Sequence, residues 1–310
     1  MPDKEYIVAL NMVDGLGSLQ IKRLLEVFSD PAKIFKAPAS ELKHRAGIND
    51  KHCFAIRRII ASKELKKELA CIEKEKIRLL VIGDEEYPLN LKKIYDPPAL
   101  LYIKGGIIKS DAVSIAVVGS RKSSAYGRQI TERLSADLAR YKISVVSGLA
   151  RGIDTASHRG ALKAGGRTIG VLGSGLARMY PPENLSLCEE IAASGAVISE
   201  LPLFAPPYPQ NFPKRNRIIS GLSLGVVVVE ARKRSGSLIT ADCALEQGRE
   251  VFAIPGNAGY LNSEGTNHLI RQGAALVENA EDIINEFKPL LKEYLECSVQ
   301  RETASKESGN

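Results

Sequence analysis

No stretch of the 310-residue sequence approaches the roughly 18 uninterrupted apolar residues of a membrane span. The N-terminus, MPDKEYIVAL, lacks a basic region followed by an apolar run. Neither a membrane anchor nor a secretory leader is indicated, and the expected compartment is the cytoplasm. The five cysteines, Cys53, Cys71, Cys188, Cys243 and Cys297, are odd in number, scattered and without a C-x-x-C pair. That excludes a disulfide framework or a zinc site and leaves reduced, mostly core thiols. G-x-x-x-x-G-K-[ST] and H-E-x-x-H are absent, and none of the four histidines has a nucleophile or metal partner nearby in sequence. ATP hydrolysis and metal catalysis have no motif here, and no cofactor is expected.

What is present is ordinary globular material: 44% hydrophobic and 25% charged residues, enough for a sizeable core in two or three domains. The net charge of +7 is uneven, with +3 on residues 1–85, +7 on 86–280 and −3 on 281–310. A basic middle fits a polyanionic partner such as nucleic acid.

Residues 1–83 read as a small all-helical domain, with apolar residues at helical spacing in Leu24, Leu25, Val27, Phe28 and again in Leu65, Leu69, Ile72. VDGLGSLQIKRLLEVF sets Gly15 and Gly17 before an amphipathic helix, and RAGINDKHCFAIRRI is a weaker copy around Gly47. Both look like helix-hairpin-helix units, which contact phosphates through backbone N–H groups at a helix N-terminus. Helix packing or protein contact explains the same pattern equally well.

Beyond a boundary placed near Gly83, short apolar runs alternate with helical stretches: IAVVG, ISVVSG, TIGVLG, AVISE, GVVVVE, EVFAIPG and AALV. Nearly continuous Val/Ile runs are how strands buried on both faces of a parallel sheet read. Residues 84–287 are therefore expected to form a doubly wound α/β domain whose ligand lies beyond the carboxyl ends of the strands. Residues 288–310 are expected to be a short helix and a disordered tail, with no winged-helix domain.

Four loops merit attention. Gly119, Ser120 and Arg121 follow one strand, permitting close backbone approach, a hydroxyl donor and a guanidinium fork. Gly148, Ala150, Arg151 and Gly152 follow the next and precede a helix N-terminus, although Arg151 pairing with Asp154 is the plainer reading. Phe212, Lys214, Arg215, Asn216 and Arg217 bring an aromatic and cations together, as a single strand's bases and backbone require. Arg217 and Asn216 have a structural alternative as loop caps or braces for Glu230. Ser235, Gly236 and Ser237 stand at a further helix entrance, where a serine serves as N-cap or phosphate donor. Six cations between residues 212 and 237 are expected to converge on one edge of the sheet. The G-x-G-x-x-R of TIGVLGSGLARMYPPEN is a poor dinucleotide signature, because Met179 to Pro182 interrupt the helix such a motif opens.

VVGSRKSSAYG, VVSGLARGIDTASHRGAL, FPKRNRIISGLS and VVVVEARKRSGSLITADCALEQGREVFAIPG, in this order and spacing, resemble the DprA/Smf family. The resemblance implies an extended Rossmann-like, mostly parallel sheet behind a sterile-alpha-motif-like helical domain, and a homodimer formed through the Rossmann-like part. It also implies single-stranded DNA binding that protects incoming DNA in natural transformation, and loading of the RecA recombinase. By motif, Gly119, Ser120, Arg121, the 148–152 loop, Phe212, Lys214, Arg215, Asn216 and Arg217 become the DNA pocket. Two other classes stay open: a nucleotide-binding or phosphoribohydrolase-like enzyme, weakened because no glutamate stands three residues after Thr240, and a protein-interaction scaffold.

Overall fold

A computed structural model describes residues 3–288. Cys297 and the expected tail fall outside the described residues.

The first part is helical as its periodicity predicts: α1 (Asp3–Asn11), α2 (Ser18–Phe28), α3 (Pro31–Lys36), α4 (Ala39–Ala46), α5 (Asp50–Ile59) and α6 (Lys63–Lys74). Asp30, Asn49 and Ser62 cap three of these helices by accepting from the backbone N–H groups of Ala32, His52 and Leu65. Leu10, Ile21, Leu24, Ile34, Leu42 and Ile56 fill the space between them.

Ahead of the boundary expected near Gly83, the sequence IRLLVI reads as strand-like. The run at Ile77–Ile82 contributes β1 (Arg78–Val81), which pairs antiparallel with β2 (Leu100–Gly105) as the edge of the sheet. The remaining elements alternate: α7 (Leu89–Lys92), β3 (Ser114–Val118), α8 (Ala125–Arg140), β4 (Ser144–Ser147), α9 (Ile153–Lys163), β5 (Thr168–Val171), α10 (Leu185–Ser194), β6 (Ala196–Ser199), α11 (Asn211–Leu222), β7 (Gly225–Val228), α12 (Gly236–Glu246), β8 (Glu250–Ala253), α13 (Glu264–Arg271) and β9 (Ala275–Leu276). The sheet order is β1-β2-β6-β5-β4-β3-β7-β8-β9, with every pair from β6 to β9 parallel. This is the expected doubly wound architecture.

Successive strand residues face opposite layers. Ala116, Val118, Val226 and Val228 pack with Ile218, Ile219 and Leu222 of α11 and Ala241 and Ala244 of α12. Ile115, Val117 and Val227 pack with Leu134 and Leu138 of α8, Ile153 of α9 and, from the helical segment 280–288, Ile283 and Phe287. Both faces are covered, which is why the strands read as unbroken apolar runs.

Helix α11 begins at Asn211 and takes Pro213 in its first turn, where the missing N–H costs nothing.

Candidate nucleic-acid interface

Winding reverses between β3 and β7: the chain runs outward on one side through β4, β5 and β6, and on the other through β7 and β8. A crevice of about 660 Å³ opens at the carboxyl ends of these two strands. Doubly wound sheets bind ligands at such a reversal, because the loops diverge there and leave a gap.

One wall is the loop after β3. Gly119 is required by closeness, since a Cβ would stand 2.7 Å from Ile153 Cγ1. Ser120 Oγ accepts from Lys122 N at 3.1 Å and closes the turn, which leaves Arg121 and Lys122 exposed to the crevice. Ser124 caps α8, accepting from Gly127 N at 2.8 Å. Glu230, at the end of β7, then holds the whole loop: it accepts from Ser124 N (2.9 Å), Ser124 Oγ (2.5 Å) and Asn262 Nδ2 (3.3 Å). Asn262 Nδ2 also donates to Lys122 O at 3.0 Å. Ser124 and Asn262, rather than Arg217 or Asn216, thus brace Glu230; the Ser-x-x-Gly start of α8 is the sequence signal for the first.

The floor comes from the loop after β4 and from α11. Gly152, at φ 77°, enters α9 in a left-handed conformation, and a Cβ there would strike Ser120 O, so the two loops abut through backbone. At Gly148 a Cβ would strike the Arg215 guanidinium and Asp154. Arg215 is buried and donates through Nη1 to Val171 O, while Asp154 Oδ2 accepts from Ala150 N at 3.3 Å. Burial pulls Arg215 down to about 10 and pushes the Asp154 carboxyl up, each opposed by the other's charge. The alternative Arg151–Asp154 pair is not formed: Arg151 bonds Glu183, and Asp154 is turned inward toward Arg215.

Phe212 stands at the rim over Gly173, with Arg121 stacked 5.1 Å from its ring centre. Tyr180 meets Phe212 edge to face at 6.0 Å and carries Arg151 at 5.8 Å over its own ring. Two aromatic rings each paired with an arginine form a stacking platform. Gly148, Ala150, Arg151, Tyr180 and Phe212 share a small recess beside Arg121. Tyr180, in sequence part of the run that interrupts a helix, belongs to the rim; an aromatic in a Pro-rich loop after a strand is the signal for it.

The opposite wall is the start of α12. Ser235 caps it, accepting from Ser237 N at 3.4 Å, and Asn216 Nδ2 donates to Gly236 O at 3.1 Å. Arg232 and Arg234 line this side.

The six cations of residues 212–237 do not all converge. Lys214 and Arg217 lie on the other face of α11, where Arg217 bonds Asp96 and Glu200, both at 2.6 Å, with its side chain 14% exposed. That face borders a second groove, reached by the Gly15–Gly17 hairpin and lined by Asp14, Asp96, Glu200 and Glu246. Four carboxylates make it a poor phosphate site, which counts against the nucleic-acid reading of the hairpin. Lys233 is exposed outside the crevice lining.

Comparison with known proteins gives the family and the fold. The family model described as DNA recombination-mediator protein A matches residues 78–288, beginning at β1. The DNA processing protein DprA of Bacillus subtilis is 45% identical over 234 residues, 75% of this chain and 79% of that protein. Protein Smf of Escherichia coli is 45% identical over 227 residues, 73% of this chain and 61% of that protein. The X-ray structure of DprA from Streptococcus pneumoniae superposes with a TM-score of 0.79 at 38% identity, covering 91% of this chain and 97% of the other. A Helicobacter pylori DprA structure, described for its single-stranded DNA binding mode, has a TM-score of 0.62 at 31% identity, covering 70% of this chain and 97% of the other.

Proposed function

This chain belongs to the DNA recombination-mediator protein A family, and from that premise we propose that its strand-end crevice binds single-stranded DNA, protects it during natural transformation and presents it to the RecA recombinase. The observation that carries the reading is a charge imbalance: Arg121, Lys122, Arg215, Arg232 and Arg234 line the crevice against Asp154 alone. Phe212 and Tyr180 at its rim, packed edge to face, each offer an unstacked base an aromatic surface. A flexible strand can turn its phosphates inward and its bases onto those rings, whereas a stiff duplex cannot.

The protein acts as a binder rather than an enzyme, in the cytoplasm where RecA works. Asp154, the carboxylate that lines the crevice, is bonded to Ala150 N and turned toward Arg215, so it is ill placed as a general base. Among the described residues no helix is long and apolar enough to cross a membrane, and no group of His, Cys, Asp and Glu could hold a metal. A homodimer joined through the sheet domain is the expected assembly, and sedimentation at micromolar concentration reads it directly. Binding mode is tested by competing an unlabelled duplex against a labelled oligothymidine of equal length. The duplex should compete weakly; equal competition by both forms rules the pocket out as a single-strand site.

A further inference from the structure

The crevice carries more concentrated positive charge than one stretch of phosphodiester brings to it. Each nucleotide of a strand supplies a single negative charge, against the five lining cations and one lining carboxylate. Arg215 is only 4% exposed, lines the crevice, and leaves its Nε without a hydrogen-bond partner. A buried guanidinium N–H is rarely left unmade, because it forfeits its hydration without recovering it. Helix α12 is eleven residues long and points its N-terminus into the same space. At Gly236, its first residue, nothing lies within 4 Å of where a Cβ would stand, so the backbone there is open to a ligand. The volume, about 660 Å³, is that of a small-molecule site.

We propose that the crevice also holds a free nucleoside 5′-polyphosphate of the ADP kind, bound without metal and in competition with DNA. The inference rests on reading the same crevice as the DNA site. A nucleoside diphosphate brings about three negative charges on one nucleotide, so it matches the cation cluster more closely than a strand segment of the same size. Its phosphates meet the α12 N-terminus and Arg234, with the buried Arg215 charge behind them, and its base lies on Phe212. No catalytic carboxylate is needed, and the nucleotide is released unchanged.

Calorimetric titration of the full chain with ADP, in the absence of metal, tests this beside adenosine and inorganic pyrophosphate. One ADP should bind per chain, adenosine should not bind, and pyrophosphate should bind at least about tenfold more weakly, since it lacks the base that stacks. Saturating oligothymidine should abolish the ADP signal. Gly236→Glu sets a carboxylate at the α12 entrance without a steric clash and should weaken ADP about tenfold or more. Arg234→Glu, at an exposed position, repeats the test should the first variant not fold. If oligothymidine binds and ADP fails up to millimolar concentration, this inference falls and the DNA reading stands. ADP binding that survives saturating oligothymidine or both substitutions lies elsewhere and also overturns it, as does pyrophosphate binding as tightly as ADP. If neither ADP nor oligothymidine binds, both readings fall together.

Discussion

Arg121 and Lys214 look interchangeable in the sequence, yet the fold gives them opposite surroundings. Arg121 is exposed on the crevice wall over Phe212, and Lys214 faces the groove of Asp14, Asp96, Glu200 and Glu246. Arg121→Glu should therefore weaken oligothymidine binding and reduce the logarithmic salt slope by about 0.7 for the lost contact. Its thermal midpoint should barely move. Lys214→Glu should leave affinity and slope unchanged. Anisotropy titrations across a salt series read both, and equal losses in the two variants would put the strand on the wrong face of α11. Arg217 belongs to the fold: Arg217→Ala strands Glu200 and Asp96, and breaking a largely buried pair costs about 3–5 kcal/mol. Urea denaturation should show that loss while any folded fraction still binds DNA. The signal for this division was already in the spacing. On a helix, residues three and four apart share a side, so Phe212, Arg215, Asn216 and Ile219 fall on the crevice face and Lys214 with Arg217 on the other. Composition pointed to the cations, but only helix phase told which way each one faces.

At the scale of elements, α9 shows how the loops are held from behind. His158, one turn into the helix, is buried with Nδ1 2.7 Å from Thr168 Oγ1 on β5. The Thr168 hydroxyl donates to Val145 O at 2.7 Å, so it accepts from His158 Nδ1–H and fixes the neutral tautomer. Nε2 has no partner, and burial with the Arg215 charge holds the imidazole down to about 3. The unfolded chain takes up this proton near pH 6.5 and the folded chain does not. Stability is therefore lost as pH falls from about 6.5 toward 3, by about 1.4 kcal/mol per pH unit from this group. Asp154 and Glu68, whose pKa values burial raises, act in the opposite direction at acid pH. His158→Asn keeps a donor to Thr168 and removes the titration, so its urea midpoint should fall less than the parent's between about pH 7 and pH 5. Equal falls would mean the imidazole is not the group responsible. The strands themselves were legible because both faces are buried, leaving unbroken Val/Ile runs. The pairing of β1 with β2 was not, since an antiparallel edge depends on contacts far away in sequence and Arg78–Val81 alone reads only as a strand-like run.

For the whole molecule, the question is whether the helical part moves independently of the sheet. Domains joined by a small polar interface usually do, but here the core crosses the junction. Ile7, Val8 and Ala9 of α1 and Leu65 of α6 form one apolar cluster with Val81 of β1, Leu100 and Tyr102 of β2, and Leu203. Polar contacts reinforce it: Leu203 N donates to the buried Glu68 carboxyl at 2.6 Å, and Asn11 Nδ2 donates to Glu200 O at 2.9 Å. Because Glu200 also pairs with Arg217 of α11, loosening the helical part exposes a charge pair on the helix whose opposite face lines the crevice. The two parts should accordingly unfold together. Cys53, buried among the helices, and Cys188, buried under β6, report on each separately. Thiol labelling across a urea series, with the peptides quantified by mass spectrometry, should give coincident midpoints. Oligothymidine at about a hundred times its dissociation constant adds about 2.7 kcal/mol to the folded state. That stabilisation should move both midpoints equally, although Cys53 lies in the helical part and lines neither groove. Earlier labelling of Cys53, or a DNA-dependent shift confined to Cys188, would show instead that the helices open on their own and that the shared cluster does not couple them to the crevice.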